Sequence, residues 1–573
     1  MSWFFVVSGE EEGSKDRTHP FSTSPLFSLS LPGLFISFGG IEETCLFEYS
    51  EVEAKGWGVV GVGIHERGGD RQIMSKEEWR TQLSEPTFDP SKLDGHFVAI
   101  RWKDGLLEFF VDQLGLRTFY YAKSKGNLCI SSRLDWISTY TKLSDIDLRM
   151  LGSRWLAYNQ FTRSSPIRGI ERVSQSGYLC VEGGRVIRSH HLPFYQTFRS
   201  ESIANGLNVI ESIVRGVKKF NATPSLALSG GLDSRMLLAL MLRSTEKGWR
   251  VHTLGDPTHP DVQVGRAIAE KLNLEYHHIH PTLFDPDVMF ERMTSYALQA
   301  QLIEFASTAT KLQYGEELRS TGHFAIDGGF GEIGRRSLFK RLAKLGKRAI
   351  DAENIPKLVG LLRYDRPQIF RPEILTEMER GVEEELRSVI EEMPAIHEVG
   401  YENYVDIFAL RTRIPNYGGY EQARVDAEVV NLMPFMQPSY VRAMLNAPLS
   451  EKLGGRFYKN FIRENAPSLT NFPLVKGSAS YRFSLSARSA WVAGKIQQKM
   501  GGGWVNKAPD ILFHHIKAHV LDLLRSSEVQ SNPLYDLNTI TRAVEGYYQG
   551  NGEYRPLLDG WLTFELWRGG FGR

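Results

Sequence analysis

The sequence predicts an α/β protein in two unlike parts: an antiparallel, β-rich N-terminal part, then a part built on a parallel sheet that gives way to helices. Between about Trp57 and Leu192, short alternating apolar segments are broken by glycine and polar turns. After about residue 200, short apolar runs alternate with longer helical ones, and apolar residues later recur at spacings of three and four. A chain of 573 residues exceeds one ordinary core, so two domains are expected, at 1–195 and 196–573.

In chain order, Ser2 to Val7 is apolar enough for a buried first strand. Gly95 to Trp102, the turn Lys103-Asp104-Gly105 and Leu106 to Val111 read as a hairpin. Asn127 to Ser131 is a further strand, and Gly177 to Val181, Glu182-Gly183-Gly184 and Arg185 to Ile187 form a second hairpin. In the second part, Ser225 to Leu228 reads as a strand, Met236 to Leu242 as a helix, Trp249 to Leu254 as a strand, Asp261 to Leu272 as a helix and Tyr276 to Ile279 as a strand. Leu375, Met378, Val382, Leu386 and Val389 mark the packed face of an amphipathic helix.

An apolar share of 42% and a charged share of 24% describe a soluble globular chain. Lys plus Arg at 68 against Asp plus Glu at 67 gives no global electrostatic case for nucleic acid or membrane binding, so a charged partner must be recognised locally. Cys45, Cys129 and Cys180 have neither metal-ligand nor redox spacing, which fits a reducing cytoplasm. The apolar patch Trp3 to Val7 before the acidic run Glu10 to Glu12 is too brief for a signal peptide or anchor. The pairs His190-His191, His277-His278 and His514-His515 lack acid or cysteine partners and read as structural.

The most informative stretch is Ser229-Gly230-Gly231-Leu232-Asp233-Ser234, set between a strand and a helix. Glycines there let the backbone curl so that successive N–H groups converge on an anion, and the dipole at the helix start adds attraction. Asp233 can hold a magnesium ion against phosphates, while the Ser229 and Ser234 hydroxyls can donate hydrogen bonds. The spacing is not that of a Walker loop.

The hexapeptide resembles the pyrophosphate loop of the ATP pyrophosphatases, enzymes that split ATP between its α and β phosphates. Upstream, Leu93-Asp94-Gly95-His96-Phe97-Val98, Val111 to Tyr121 and Ile130-Ser131-Ser132-Arg133 resemble the late part of the glutamine-amidotransferase domain of asparagine synthetases. The order of the two matches that superfamily, and the likeness runs unevenly over about residues 90 to 480. It implies an amidotransferase-like (Ntn) domain followed by an ATP pyrophosphatase domain. It also implies that Thr253 and Leu254 hold adenine by backbone contacts, and that Ile326-Asp327-Gly328-Gly329-Phe330-Gly331-Glu332 is a second phosphate-side loop. Arg463-Glu464-Asn465-Ala466-Pro467 followed by Lys476 resembles the segment carrying an active-site lysine.

The implied chemistry is a two-step ligation with ATP and Mg2+. A substrate carboxylate, on an aspartate-like small molecule or a peptide, attacks the α-phosphorus, and ammonia or an amine then displaces AMP to leave an amide. Lys476 would stabilise the transferring groups and Asp327 would orient or deprotonate the amine. The plainer readings are a surface lysine and a turn cap. A homodimer is left open.

The chain departs from that pattern in three places. Glutamine-hydrolysing members begin their mature chain with a cysteine, whereas Met1 here is followed by Ser2, so glutaminase activity is expected to be lost or marginal. This resembles β-lactam synthetases and lasso-peptide cyclases, which use an intramolecular amine; free ammonia is the other source. Phe330 stands where a magnesium-binding aspartate is expected, so either Glu332 takes the metal or Asp233 holds it alone. Val430-Asn431-Leu432 replaces the usual Glu-x-Arg ahead of Met433-Pro434-Phe435, which puts asparagine synthesis itself in question. A basic run follows the second loop, Arg335, Arg336, Lys340, Arg341, Lys344, Lys347 and Arg348, with Leu338, Leu342 and Leu345 at helical spacing. It reads as a solvated helix face, or as a surface for an anionic substrate or leader peptide on a helix starting at the phosphate loop. From another class, a degenerate nucleotide-binding regulatory protein is the alternative.

Overall fold

The computed structural model describes residues 2–9, 21, 23–157, 161, 163–194, 201–217, 220, 222–244, 248–336, 338–477, 479–485 and 504–571. The acidic run at 10–12 and the expected domain boundary at 195/196 lie outside the described residues.

The alternating segments of the first part form antiparallel strands: β1 (Trp3–Gly9), β2 (Phe27–Leu31), β3 (Leu34–Gly39), β4 (Cys45–Ser50), β5 (Lys55–Arg67), β6 (Asp70–Ile73) and β7 (Asp94–Lys103). They continue as β8 (Leu106–Val111), β9 (Phe119–Ser124), β10 (Asn127–Ser131), β11 (Glu171–Val173), β12 (Tyr178–Glu182) and β13 (Arg185–His190). One sheet has the order β11-β9-β10-β1-β3-β2; the other runs β13-β12-β8-β7-β5-β4, with β6 on β5. Apolar residues of both sheets, among them Phe4, Val6, Ile36, Val98, Ile100 and Phe109, share one core, as in a two-layer sandwich. Trp3 and Phe5 point the other way into a core shared with helices, which is why β1 reads as continuously apolar.

In the second part, β14 (Thr223–Ala227), β15 (Arg250–Leu254), β16 (Tyr276–Ile279), β17 (His323–Ile326) and β18 (Asn431–Leu432) form a parallel sheet of order β16-β15-β14-β17-β18. The chain steps outward from β14 to β16 and then returns to the other side of β14 with β17. That reversal is a topological switch point, and the crevice at the carboxyl ends of β14 and β17 is where such sheets bind ligands.

The amphipathic stripe becomes the helix Pro372–Glu391, with Met378, Val382, Leu386 and Val389 buried. Its partner is the helix Leu148–Leu156, and the crossing is close because Gly152 and Gly381 face each other's backbones: a Cβ at Gly381 would sit 2.2 Å from the Arg149 carbonyl oxygen. The last helix, Arg555–Arg568, buries Trp561, Phe564 and Trp567 against Trp155 and Phe370. Among the described residues no helix is long and apolar enough to cross a membrane.

A buried ionic hub joins the two parts. Asp426 is fully buried, and its Oδ2 lies 2.8 Å from both His96 Nε2 and Arg117 Nη2. Its Oδ1 accepts from Gln422 Nε2 at 3.0 Å and from the Asn431 N–H at 3.2 Å, and Arg117 Nη1 donates to the Ser2 carbonyl at 3.2 Å. Burial alone would raise the Asp426 carboxyl, but His96, Arg117 and the bonds from His96 and Gln422 hold it below the usual range.

On the central sheet, His252 of β15 is buried beside Ser225, Oγ to Nδ1 2.9 Å. Burial first, then Arg250, lowers its imidazole from 6.5 to about 3. Between those values the unfolded chain takes up a proton that the folded ring refuses, so stability falls as pH falls through the window, by up to about 1.4 kcal/mol per pH unit. On acidification from pH 7 to pH 5, His252→Asn is expected to lose less stability in denaturant unfolding than the native protein; equal losses would remove His252 from the acid response.

Candidate active site

β14 leads into the hexapeptide, and the helix Leu232–Ser244 begins inside it rather than at Met236, so Asp233 and Ser234 lie in its first turn. The amides expected to converge on an anion are engaged within the protein. The Ser229 N–H donates to Ser234 Oγ at 3.2 Å, the Gly230 N–H to Asp261 Oδ1 at 2.8 Å and the Gly231 N–H to Ser229 Oγ at 3.1 Å. The amides of the helix's first turn, by contrast, have no intrahelical partner, and such donors can receive an anion.

Gly230 is also needed for a different reason than expected, since neither it nor Gly231 has a positive φ. Strand β19 (Leu474–Lys476), paired with β20 (Ala479–Tyr481), lies across the loop and donates the Val475 N–H to the Gly230 carbonyl at 2.9 Å. A Cβ at Gly230 would come 2.2 Å from Val475 Cγ2. The same docking sets the backbone of Lys476 beside the loop, with its side chain exposed. Arg235 locks the arrangement: buried, it donates to the carbonyls of Gly230 (3.3 Å), Leu469 (3.2 Å), Phe472 (2.9 Å) and Pro473. A lone arginine opening an apolar helical run was the sequence signal for it.

The second loop follows β17. The Asp327 N–H donates to the Leu432 carbonyl of β18 at 2.8 Å, and its Oδ1 accepts the Gly329 N–H at 2.9 Å. Burial pushes this carboxyl above its usual range, against the pull of the Gly329 N–H. Gly328 lies against the start of the other loop's helix, where a Cβ would stand 3.1 Å from the Ser234 nitrogen. Phe330, in the left-handed region at φ 59°, is buried with its ring near Tyr417, centroids 6.2 Å apart, so the position expected to bind metal is an apolar anchor. Gly331 then passes directly over Asp233; a Cβ there would be 2.3 Å from the Asp233 Cγ.

The basic run does not form one helix from this loop. A 3-10 turn, Gly331–Arg335, is followed by separate helices Lys340–Leu345 and Lys347–Asp351. Its first two cations are paired with acids: Arg335 Nη2 lies 2.5 Å from Asp233 Oδ2, and Arg336 Nη2 2.5 Å from Asp406 Oδ2. His277 also has an acid, with Nε2 2.5 Å from Glu317 Oε1, while His278 Nε2 bonds to the Gly255 carbonyl at 2.9 Å.

Burial pushes the Asp233 carboxyl up to about 6; Arg335 pulls it down, and Glu332 and Asp327 push it up. Asp233 Oδ1 is buried without a hydrogen-bond partner. Glu332 is 40% exposed, its Oε1 4.0 Å from Arg335 Nη2. No group of three or more acid, histidine or cysteine side chains among the described residues converges for a metal. These residues fit a magnesium ion that arrives with phosphate, which uses one or two carboxylates and takes its other ligands from the phosphates and water.

The two loops open on one cleft of about 550 Å³. Ser229, Asp233, Thr253 and Leu254 line it; the Thr253 hydroxyl is itself tied to the Leu228 carbonyl at 2.6 Å. It is also lined by residues that sequence reasoning missed. Tyr296 donates to Glu304 Oε2 at 2.6 Å, and Arg424 Nη1 donates to the Tyr296 hydroxyl at 3.0 Å. Burial, then Glu304, raises the Glu421 carboxyl to about 7, where a carboxyl can exchange protons near neutrality. A π-helical turn, Ile414–Gly418, follows Arg413 and contains Tyr417, both of which line the cleft; such turns recur at functional sites, and Pro415 within a helical run was its sequence signal.

Fold and site together define an antiparallel two-sheet part joined to a parallel-sheet part with a strand-loop-helix cleft at its switch point. No known family's profile matches the chain, and no curated protein matches it. Among solved structures it is similar to one described as the allosteric regulatory enzyme of purine biosynthesis, at 10% identity over 50% of this chain and 76% of that one, TM-score 0.21. It is similar to the glutamine phosphoribosylpyrophosphate amidotransferase of B. subtilis, complexed with ADP and GMP, at 10% identity over 57% and 75%, TM-score 0.20. It is also similar to the NH3-dependent NAD synthetase of Campylobacter jejuni, in complex with nitrate, at 13% identity over 34% and 97%, TM-score 0.18. Similarity at this level leaves the function to be read from the site.

Proposed function

We propose that the protein is an ATP-dependent, AMP- and pyrophosphate-forming ligase that adenylates a carboxylate and joins it to ammonia or an amine. The observation that carries this reading is the meeting of the Ser229–Ser234 loop and the Asp327 loop on one cleft that Glu421, Arg413 and Arg424 also line. ATP phosphates lie against the first-turn amides at Leu232 to Ser234, with adenine near Thr253 and Leu254. Magnesium brought with ATP, held by Asp233 with Glu332 in reach, supplies charge neutralisation of the phosphates. The substrate carboxylate, an aspartate-like small molecule or a peptide group oriented by Arg413, forms a bond to the α-phosphorus as the bond to the β-phosphate oxygen breaks. Pyrophosphate leaves on the side of Lys476. An amine then attacks the acyl carbon, gives its proton to Asp327 or Glu421, and AMP departs.

Residues 1–195 serve in this reading as an amidotransferase-like support without glutaminase activity. Ser2 is fully buried, with its hydroxyl 2.5 Å from Thr44 Oγ1, which favours an amine from solution or from the substrate itself over ammonia from glutamine. Such an enzyme is expected to exchange labelled pyrophosphate into ATP in the presence of its carboxylate. ATP binding without exchange, across aspartate-like acids and peptides, would leave the regulatory alternative standing. Ammonia release from glutamine that disappears in Ser2→Ala would overturn the silent first half.

A further inference from the structure

The loop rebuilt around Phe330 carries a compensating feature. Where an acid would recruit metal, an apolar ring is buried, and five residues later Arg335 closes on Asp233. The contact is single-pronged: Asp233 Oδ1 and Arg335 Nε are both buried without hydrogen-bond partners, so each group keeps an unspent site. A paired arginine and carboxylate with nothing else to bind would be expected to use the two-pronged geometry. Arg335 is 24% exposed and lies on a short 3-10 turn flanked by the left-handed Phe330 and Arg336, so its guanidinium can swing without moving a long helix. Glu332 lines both the main cleft and an adjoining cavity of about 350 Å³ that Lys340 also lines. Lys340 feels Lys476 and Arg335 as neighbouring positive charges, after burial, in the lowering of its ammonium.

We propose that Arg335 is a resident cation of the phosphate site. It occupies Asp233 when no phosphate is bound, and turns to the pyrophosphate group when metal and nucleotide enter, so that metal and guanidinium compete for Asp233. This rests on reading the hexapeptide as a pyrophosphate loop. Because Asp233 is engaged, divalent metal alone binds weakly, and because Arg335 is engaged, pyrophosphate alone does too.

Titrations of the full chain with Mn2+ alone and with inorganic pyrophosphate in the absence of metal test the idea. Arg335→Gln is expected to bind Mn2+ tighter and metal-free pyrophosphate about 10- to 100-fold more weakly, the loss of a charge-assisted hydrogen bond. Asp233→Asn is expected to lose Mn2+ binding and to bind metal-free pyrophosphate tighter, because it releases the guanidinium. Unchanged pyrophosphate affinity in Arg335→Gln, or weaker binding of both ligands, overturns the proposal. Should that variant not fold, Asp233→Asn decides, and metal-free pyrophosphate binding no tighter than native overturns it. These are binding measurements, so a lack of pyrophosphate exchange with every carboxylate would sink the ligase reading and leave this one standing, and the converse holds.

Discussion

Asp233→Ala is expected to lower carboxylate-dependent pyrophosphate exchange by about 10²- to 10³-fold, the scale of removing one preorganised electrostatic group from a transition state. Asp233 stands in the first turn of the helix that follows the loop, and its Oδ1 is buried without a hydrogen-bond partner. Its other oxygen is held by Arg335, which in the variant loses its counter-charge. Because Arg335 is partly exposed, water screens that loss and thermal unfolding should move little. Low exchange with a native unfolding midpoint is therefore the expected pair of results. Native exchange would show that the metal is held elsewhere, with Glu332 the first residue to replace.

Asp426→Ala is expected to cost about 3–5 kcal/mol in denaturant unfolding, because truncating one member of a buried ionic cluster leaves the others uncompensated. His96 and Arg117 are both buried, and each makes an ion pair to the same Asp426 oxygen. Alanine would also free the Asn431 N–H and one Gln422 amide bond. Asp426 ends the helix Gly419–Val425, which carries Glu421 and Arg424 into the cleft, so the damage should reach the site as well as the fold. Asp426→Asn, which keeps the shape and some hydrogen bonds, should lose less. A cost below about 1 kcal/mol for the alanine variant, the worth of an exposed pair, would mean that the hub is not what joins the two parts.

Local signals carried much of the fold. The strand predicted at Asn127 to Ser131 and the one at Tyr276 to Ile279 have the observed ends, because alternation and turn residues are properties of neighbours in sequence. The strand at Ser225 to Leu228 is displaced to Thr223–Ala227 because Leu228 and Ser229 already belong to the turn. The stripe on Pro372–Glu391 was legible as a packed face, but not its partner helix in the first part, for periodicity says which side is covered and not by what.

The site divides along the same line. By itself the sequence determined that a strand-turn-helix loop at 229–234 carries Asp233, since that is a statement about residue type and local setting. Only the tertiary structure decided that Arg335 holds Asp233 across 102 residues and that Arg117 reaches Asp426 across 309. It also decided that Gly230 serves the approach of β19 rather than a left-handed turn. The basic run shows the reason plainly: charge patterning counts cations, while the order of strands in a sheet selects which acid each one meets. That order places β17 beside β14, and with it every contact between the two loops.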